Sequence, residues 1–259
     1  IQKAVSLFTL AATKENSFAA FALGKLYLAG DAALPRDPAA ALKWLTYAAE
    51  LGNQFAQYRL GKLLLKGDDG IPKDVIAAIR WLTAAAKQEN GYAEYALALV
   101  YLTGEDAPKD SVKALSLLKR SAGRGNQFAQ YRLGKLLLQG EDAPKDVKAA
   151  IRWLTAAAEQ GNQYAQYALG KLYLLGKEVP KDRSSAIKWF QLAADQGNEY
   201  AQYFLKHMDD RLGQPPVAAV ISLFHHLANI FQEQNQPPPS GGVRVAVDRK
   251  LLRKIKAKK

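Results

Sequence analysis

The sequence predicts an all-α fold, an α-α solenoid of stacked helix pairs, from features that recur at one period. An asparagine returns every 36 or 37 residues, an aromatic residue follows it five positions later, and a glycine and an aspartate keep the same spacing. A fixed period of this length is typical of proteins built from one repeated supersecondary unit. The asparagines are Asn16, Asn53, Asn90, Asn126, Asn162 and Asn198.

The second period shows why each repeat is expected to hold two helices. Ala56, Leu60 and Leu64 share one face of a predicted first helix over residues 53–66. Gly67 is expected to end that helix, because glycine adopts the left-handed conformation without steric cost. Asp74 is the predicted N-cap of the second helix, since its carboxylate can accept hydrogen bonds from free backbone N–H groups.

A glycine inside the first helix predicts a close contact between the two helices. Gly61 costs about 1 kcal/mol relative to alanine in a helix interior, so we expect a neighbouring backbone to need the space. The second helix carries small alanines that permit this approach, with Trp81 as the large residue predicted to fill the gap. Because one helix pair cannot bury its apolar faces alone, the pairs are expected to stack into a curved solenoid.

Ten positions of this repeat carry a family pattern, and they recur in the same order in the other repeats. They are Ala56, Leu60, Gly61, Leu64, Gly67, Asp74, Ala78, Trp81, Ala85 and Ala86. The pattern resembles the Sel1-like repeat, a relative of the tetratricopeptide repeat with a longer period, over roughly residues 1–213. The resemblance implies about six helix-pair repeats and a scaffold or adaptor role, with binding commonly on the concave side.

The third repeat departs from this pattern at three places. Ala98 replaces the glycine inside the first helix, Leu99 replaces the lysine that follows it, and Leu117 replaces the tryptophan. One interpretation is compensated repacking of the core. The other is a local apolar contact site in the middle of the solenoid.

The chain changes character after residue 213. Residues 214–235 are predicted to form a helix that caps the stack, and residues 236–259 a proline- and glycine-rich linker followed by a basic tail. Between Arg244 and Lys259 there are eight basic residues and one acidic residue, so this tail holds +7 of the net charge of +12. The segment from Phe224 onwards resembles the C-terminal end of relaxases encoded by mobilisable elements of Gram-positive bacteria.

The residues that catalysis would need are missing from the sequence. The chain has no cysteine, its three histidines include no pair four residues apart, and no glycine-rich loop has the phosphate-binding pattern. We therefore expect no catalytic residue, no metal and no cofactor. The resemblance implies that any relaxase nuclease domain lies upstream of Ile1, where the sequence starts as if inside a helix.

No apolar run approaches the ~18–20 residues that a membrane-spanning helix needs, so we expect no membrane insertion. The absence of cysteine favours an intracellular location. We therefore expect a cytoplasmic protein.

Four predicted first helices carry an aromatic residue followed four positions later by a lysine, a set called the ladder below. If the ladder lines the concave surface, its rings and cations suit an acidic peptide or a nucleic-acid backbone. The alternative is that the rings pack between helices and the lysine stems cover them. The ladder residues are Phe21, Lys25, Tyr58, Lys62, Tyr131, Lys135, Tyr167 and Lys171.

The basic tail has three interpretations. Its cations are candidate contacts for nucleic-acid phosphates, which would make binding depend steeply on salt. A membrane-surface helix is the second interpretation, although its small apolar face is a poor anchor, and a solvated end is the third. The candidate nucleic-acid contacts are Arg244, Arg249, Lys250, Arg253, Lys254 and Lys256.

Two functions follow from these observations. The first is a protein-interaction scaffold that forms the C-terminal repeat region of a bacterial mobilisation relaxase, with a protein or peptide in the concave groove and DNA on the tail. The second is a stand-alone Sel1-like adaptor in bacterial signalling or envelope processes, with no DNA role.

Overall fold

The computed structural model describes residues 2–67 and 70–208, which hold twelve α-helices. The predicted capping helix at 214–235 and the linker and tail at 236–259 lie outside the described residues. The helices are α1 (Gln2–Ala12), α2 (Ser17–Ala29), α3 (Pro38–Glu50), α4 (Gln54–Lys66), α5 (Val75–Lys87), α6 (Gly91–Thr103), α7 (Ser111–Gly123), α8 (Gln127–Gln139), α9 (Val147–Glu159), α10 (Gln163–Leu175), α11 (Arg183–Asp195) and α12 (Glu199–Met208).

The helices pack in chain order as pairs. The first helices of the repeats are α2, α4, α6, α8 and α10; each packs on the second helix that follows it, and each second helix packs on the next first helix. By its place in the period α1 is a second helix and α12 a first helix. The described residues therefore hold five complete pairs with half a pair at either end, where the sequence predicted about six repeats. The prediction of an all-α solenoid is confirmed.

Capping side chains start the helices where the sequence predicted them. The Asn53 side chain accepts hydrogen bonds from the backbone N–H groups of Phe55 and Ala56 at 3.1 and 3.0 Å. The Asp74 carboxylate accepts from the N–H of Ala77 at 2.9 Å, and Gly67 ends α4 with a φ of +62°. These bonds satisfy backbone groups that have no partner inside a helix. The same asparagine and aspartate caps recur in the other complete repeats.

The two helices of a pair touch at the glycine inside the first helix. A Cβ added to Gly61 would lie 2.6 Å from Leu82 Cγ and 3.1 Å from the carbonyl oxygen of Ala78, too close for a methyl group. The predicted close approach is therefore confirmed. The prediction that Trp81 fills the gap was wrong: Leu82 is fully buried there, while Trp81, one position earlier on the helix, is only partly buried and lies under the guanidinium of Arg80.

Glutamine side chains join one repeat to the next. Gln57 donates from Nε2 to the carbonyl oxygen of Ala49 in the preceding repeat at 3.0 Å. Its own Oε1 accepts a bond from Gln88 at 2.8 Å. Gln57 is buried, and buried polar groups are costly without partners, so this relay fixes the fit between neighbouring helices. Gln130 with Gln160 and Gln166 with Gln196 repeat it at 2.7 Å each.

The third repeat replaces this relay with charges. Glu94 stands at the glutamine position, fully buried, with Oε1 2.6 Å from Arg120 and Oε2 3.3 Å from Arg124. Neither carboxylate oxygen has a well-aligned hydrogen bond, so the arginines compensate it mainly through charge. Arg120 also donates to the carbonyl oxygen of Ala86 at 3.4 Å, which corresponds to the carbonyl that the glutamine contacts elsewhere.

The third repeat also differs from the others at apolar positions, and most of these residues are packed in its core. Ala98 and Leu117 are both buried in the core that α6 and α7 share, and Leu118 is fully buried beside them. This supports compensated repacking at two of the three positions. Leu99, at the lysine position, is only partly buried.

Candidate binding face on the first helices

The predicted ladder lies on α2, α4, α8 and α10, where ring and lysine share one side of the helix. Lys25 Nζ lies 5.7 Å from the ring centroid of Phe21, and Lys62 Nζ lies 5.7 Å from that of Tyr58. Side chains four residues apart meet on a helix surface, which explains this geometry. Tyr131 with Lys135 and Tyr167 with Lys171 hold the same positions on α8 and α10.

Each ladder ring packs against an aromatic ring on the next first helix. The centroids of Phe21 and Phe55 are 6.4 Å apart, and those of Tyr58 and Tyr92 are 5.9 Å apart. The further pairs are Tyr95 with Phe128, Tyr131 with Tyr164, and Tyr167 with Tyr200, at 6.3, 6.0 and 6.1 Å. We call these five pairs of rings the aromatic row.

Five of the ten rings in the aromatic row lie outside the asparagine-to-aromatic spacing that the sequence showed. The missed rings stand three residues before each ladder position, a spacing that places both rings on one helix face and was visible in the sequence. They are Phe55, Tyr92, Phe128, Tyr164 and Tyr200, and Phe18 holds the equivalent position on α2.

The missed rings are the more accessible ones at the N-terminal end of the row. Phe18, Phe55 and Tyr92 are 66%, 48% and 54% exposed. The rings of the ladder are partly buried, and Tyr167 is buried at 7%. The ladder rings thus contribute mainly to packing between repeats, and the exposed ring faces belong to their partners.

Burial also raises the pKa of two ladder tyrosines. Burial raises the pKa of Tyr58 to about 12, with a smaller contribution from Tyr92. Burial raises the pKa of Tyr131 to about 12 as well. Removing a phenol from water disfavours its charged form, so these rings are held neutral between the repeats.

Basic side chains crowd the same face. Burial lowers the pKa of Lys62, and the neighbouring cations Arg59 and Lys66 lower it further. Burial and then Arg132 lower the pKa of Lys135 in the same way. On α4, Phe55, Arg59, Lys62 and Lys66 follow one another at spacings of four, three and four residues, which is one helix stripe.

Arg59 on this stripe and Arg132 on α8 were not among the site residues predicted from the sequence. Arg59 and Arg132 hold equivalent positions on α4 and α8, each with a buried Nε that has no hydrogen-bond partner. Both are visible in the sequence next to a ladder aromatic, but a pattern of aromatic and lysine alone does not select them. The first-helix face is defined here as the aromatic row together with the lysines and arginines beside it.

Other kinds of site are absent from the part of the chain that the structure describes. Its residues contain no cluster of histidine, aspartate or glutamate that could hold a metal ion. None of its helices is long and apolar enough to cross a membrane. The candidate nucleic-acid contacts from Arg244 to Lys256 lie outside the described residues, so they stay a prediction.

The raised tyrosine pKa values predict a loss of stability at alkaline pH. The folded protein keeps Tyr58 and Tyr131 protonated up to a pKa of about 12, whereas an unfolded chain ionises them near pH 10. The free energy of unfolding should therefore fall as pH rises from about 10 to 12. Urea unfolding across this range measures it, and the variant Y58F/Y131F should show a shallower fall. An equally steep fall in that variant would contradict the burial of these phenols.

Comparison with known proteins identifies the repeat. The sequence model of the Sel1 repeat family matches residues 17–53, 54–90, 91–126, 127–162 and 163–198. No curated protein matches the chain. Among solved structures, an immunity protein of Pseudomonas aeruginosa, PA5088, is 22% identical with a TM-score of 0.51, covering 86% of this chain and 90% of that one, which is a likeness of fold.

Two solved structures are more similar in sequence. One is c5321, a protective antigen of uropathogenic Escherichia coli with an SLR fold, at 34% identity and a TM-score of 0.71 over 81% of this chain and 45% of that one. The other is a Sel1 repeat protein from Oxalobacter formigenes, at 33% identity and 0.73 over 81% of this chain and 60% of that one. The matched part thus covers less than two thirds of each of these two relatives. With five matched repeats and this fold, the chain belongs to the Sel1 repeat family.

Proposed function

We propose that this chain is a non-catalytic scaffold that binds a protein partner along its first-helix face. A Sel1 repeat fold is suited to protein–protein interaction. The observation that carries the proposal is that exposed aromatic rings and cations lie together on the first helices. Phe55, which is 48% exposed, lies on the same stripe of α4 as Arg59 and Lys62. Aromatic residues and arginine are enriched in the buried centres of protein interfaces.

Packing within the face favours binding. The exposed rings of Phe55 and Tyr92 are each held against a ladder ring, so their rotamers are restricted before a partner arrives. A ring that is ordered in advance loses less conformational entropy on association. The repeats present such rings at a regular spacing, which suits an elongated partner more than a compact one.

The resemblance of the C-terminal segment to relaxases supports a more specific hypothesis. In it, the chain is the repeat region of a mobilisation relaxase in the cytoplasm, docks proteins of the DNA-transfer machinery on its first-helix face, and contacts DNA through the tail from Arg244 onwards. The competing hypothesis is a stand-alone adaptor in signalling or envelope processes. The gene sequence upstream of the codon for Ile1 distinguishes the two hypotheses, because only the relaxase hypothesis requires a nuclease domain to be encoded there.

Site-specific photo-cross-linking tests the scaffold function. A photoreactive phenylalanine analogue replaces Phe55 on the first-helix face, or, as the matched control, Ile76, which is 85% exposed on the second helix α5. In cells of the native host, position 55 should give covalent adducts with protein and position 76 should give few. Adducts from position 76 alone, or adducts of position 55 with nucleic acid, would contradict the proposed face.

Salt-dependent DNA binding tests the tail. The full chain should bind single-stranded DNA with an affinity that falls steeply with salt, because each phosphate contact contributes about −0.7 to the slope of log K against log salt. A chain that ends at Gln236 should lose this binding. The variant L251A/L252A keeps every charge and should retain it. Binding that survives the truncation would show that the tail is not the DNA contact.

A further inference from the structure

We propose that the first-helix face binds an extended acidic segment of a partner protein, with two acidic clusters on either side of an apolar residue. This inference rests on the proposed scaffold function and names the chemistry of its partner. The four helices α2, α4, α8 and α10 carry seven basic residues and no acidic one. A partner bound along these helices therefore meets positive charge alone.

Several loop carboxylates form ion pairs with loop lysines, although Glu141 acts electrostatically on Lys135 of this face. Loop lysines pair with loop carboxylates of the next repeat, Lys73 with Asp106 at 2.6 Å and Lys109 with Asp142 at 2.8 Å. Among the residues that the structure describes, no ion pair joins Lys25, Lys62 or Lys135 to an acid. Carboxylates thus lie in the loops, and cations lie on these four helices.

Like charges on the face repel one another, and a bound carboxylate would relieve this. Burial is the main cause that lowers the pKa of Lys62 and of Lys135, and the nearby cations Arg59, Lys66 and Arg132 lower these pKa values further. The Nε atoms of Arg59 and Arg132 are buried and have no hydrogen-bond acceptor in the protein. Arginine binds carboxylates in a two-pronged geometry, which makes acidic side chains the fitting partners.

The third repeat interrupts this positive charge with an apolar position. On α6, between the cationic helices α4 and α8, Leu99 takes the place of the lysine and Tyr92 is 54% exposed. The only acid of α6, Glu94, is fully buried against the arginines of α7. A ligand that lies along the face from α4 to α8 therefore contacts cations on α4, an apolar position on α6 and cations on α8.

This order favours a peptide over a nucleic acid. A nucleic-acid backbone carries a charge at every nucleotide and would find no cation on α6. Binding of unpaired bases also depends on free ring faces, whereas the ladder rings Tyr58 and Tyr131 are in tilted contact with neighbouring rings and are partly buried. A peptide can match the order with acidic residues at either end and an apolar residue between them.

The spacing of the repeats sets the length of the segment. One step from a first helix to the next combines a ring contact such as Tyr58–Tyr92, at 5.9 Å, with one i,i+3 step along the helix. That step adds about 5–6 Å, so a repeat advances about 10–12 Å. An extended chain covers about 3.3 Å per residue, which gives about three residues per repeat. The two acidic clusters should lie about six or seven residues apart.

Fluorescence anisotropy with the full chain tests this proposal. The probe is a labelled peptide with two Glu-Glu pairs about six residues apart and a leucine midway. It should bind, and the variant K62Q/K135Q should weaken it at least about tenfold, a loss of about 1.4 kcal/mol. The control K87Q/K148Q removes the same charge from exposed positions on second helices and should change affinity less than about twofold.

A second variant tests the apolar position. L99K restores the lysine of the other repeats, so it should favour a peptide with a central glutamate over one with a central leucine. The unaltered chain should show the opposite preference. If L99K still prefers the peptide with the central leucine, Leu99 does not contact the central residue of the bound segment.

Other outcomes would overturn the proposal in distinguishable ways. If K62Q/K135Q and the control variant bind the probe equally, the acidic segment does not bind on this face. If single-stranded DNA of equal charge binds more tightly than the peptide and K62Q/K135Q abolishes it, the face binds nucleic acid. If the photoreactive residue at position 55 cross-links to a protein but the probe peptide does not bind, the scaffold function stands and the proposal of an acidic partner segment is wrong.

Discussion

A close contact between a glycine of the first helix and a large side chain of the second helix sets the separation of the two helices in four of the five complete repeats. At Gly61 an added Cβ would lie 2.6 Å from Leu82, and at Gly134 2.8 Å from Leu154, so neither site has room for a methyl group. Helix axes can approach this closely only where the side chain is absent. The contact sets the helix separation in these pairs, whereas Gly170 meets Phe190 in the α10–α11 pair and Ala98 takes the glycine position in the third repeat.

The aromatic row follows from that separation. Rings of successive first helices meet at about 6 Å because the pairs stack at a constant distance, and the relay from Gln88 through Gln57 fixes their orientation. The third repeat keeps the stacking with different means, a buried Glu94 compensated by two arginines. Its first helix, α6, has Leu99 in place of the lysine, yet Tyr92 and Tyr95 keep their ring contacts in the aromatic row. A uniform scaffold can in this way present a non-uniform surface.

The sequence predicted the repeat, its caps and the close contact at Gly61, because each depends on local spacing or on one residue's backbone freedom. It misassigned the gap-filling residue, since Trp81 and Leu82 both lie on the apolar side of the second helix and only the helix rotation decides between them. It found the ladder but not Phe55 or Tyr92, because their role appears only when two repeats are brought together. Ligand binding by the ladder stays a prediction.

The urea midpoint of the variant G61A tests the central constraint most directly. Alanine in a helix interior normally stabilises by up to about 1 kcal/mol relative to glycine. Overpacking against Leu82 costs about 1–3 kcal/mol, so we expect the midpoint to fall. The control G123A lies in α7 with open space around its Cβ, and its midpoint should not fall. A midpoint for G61A equal to or above that of the parent would contradict the account.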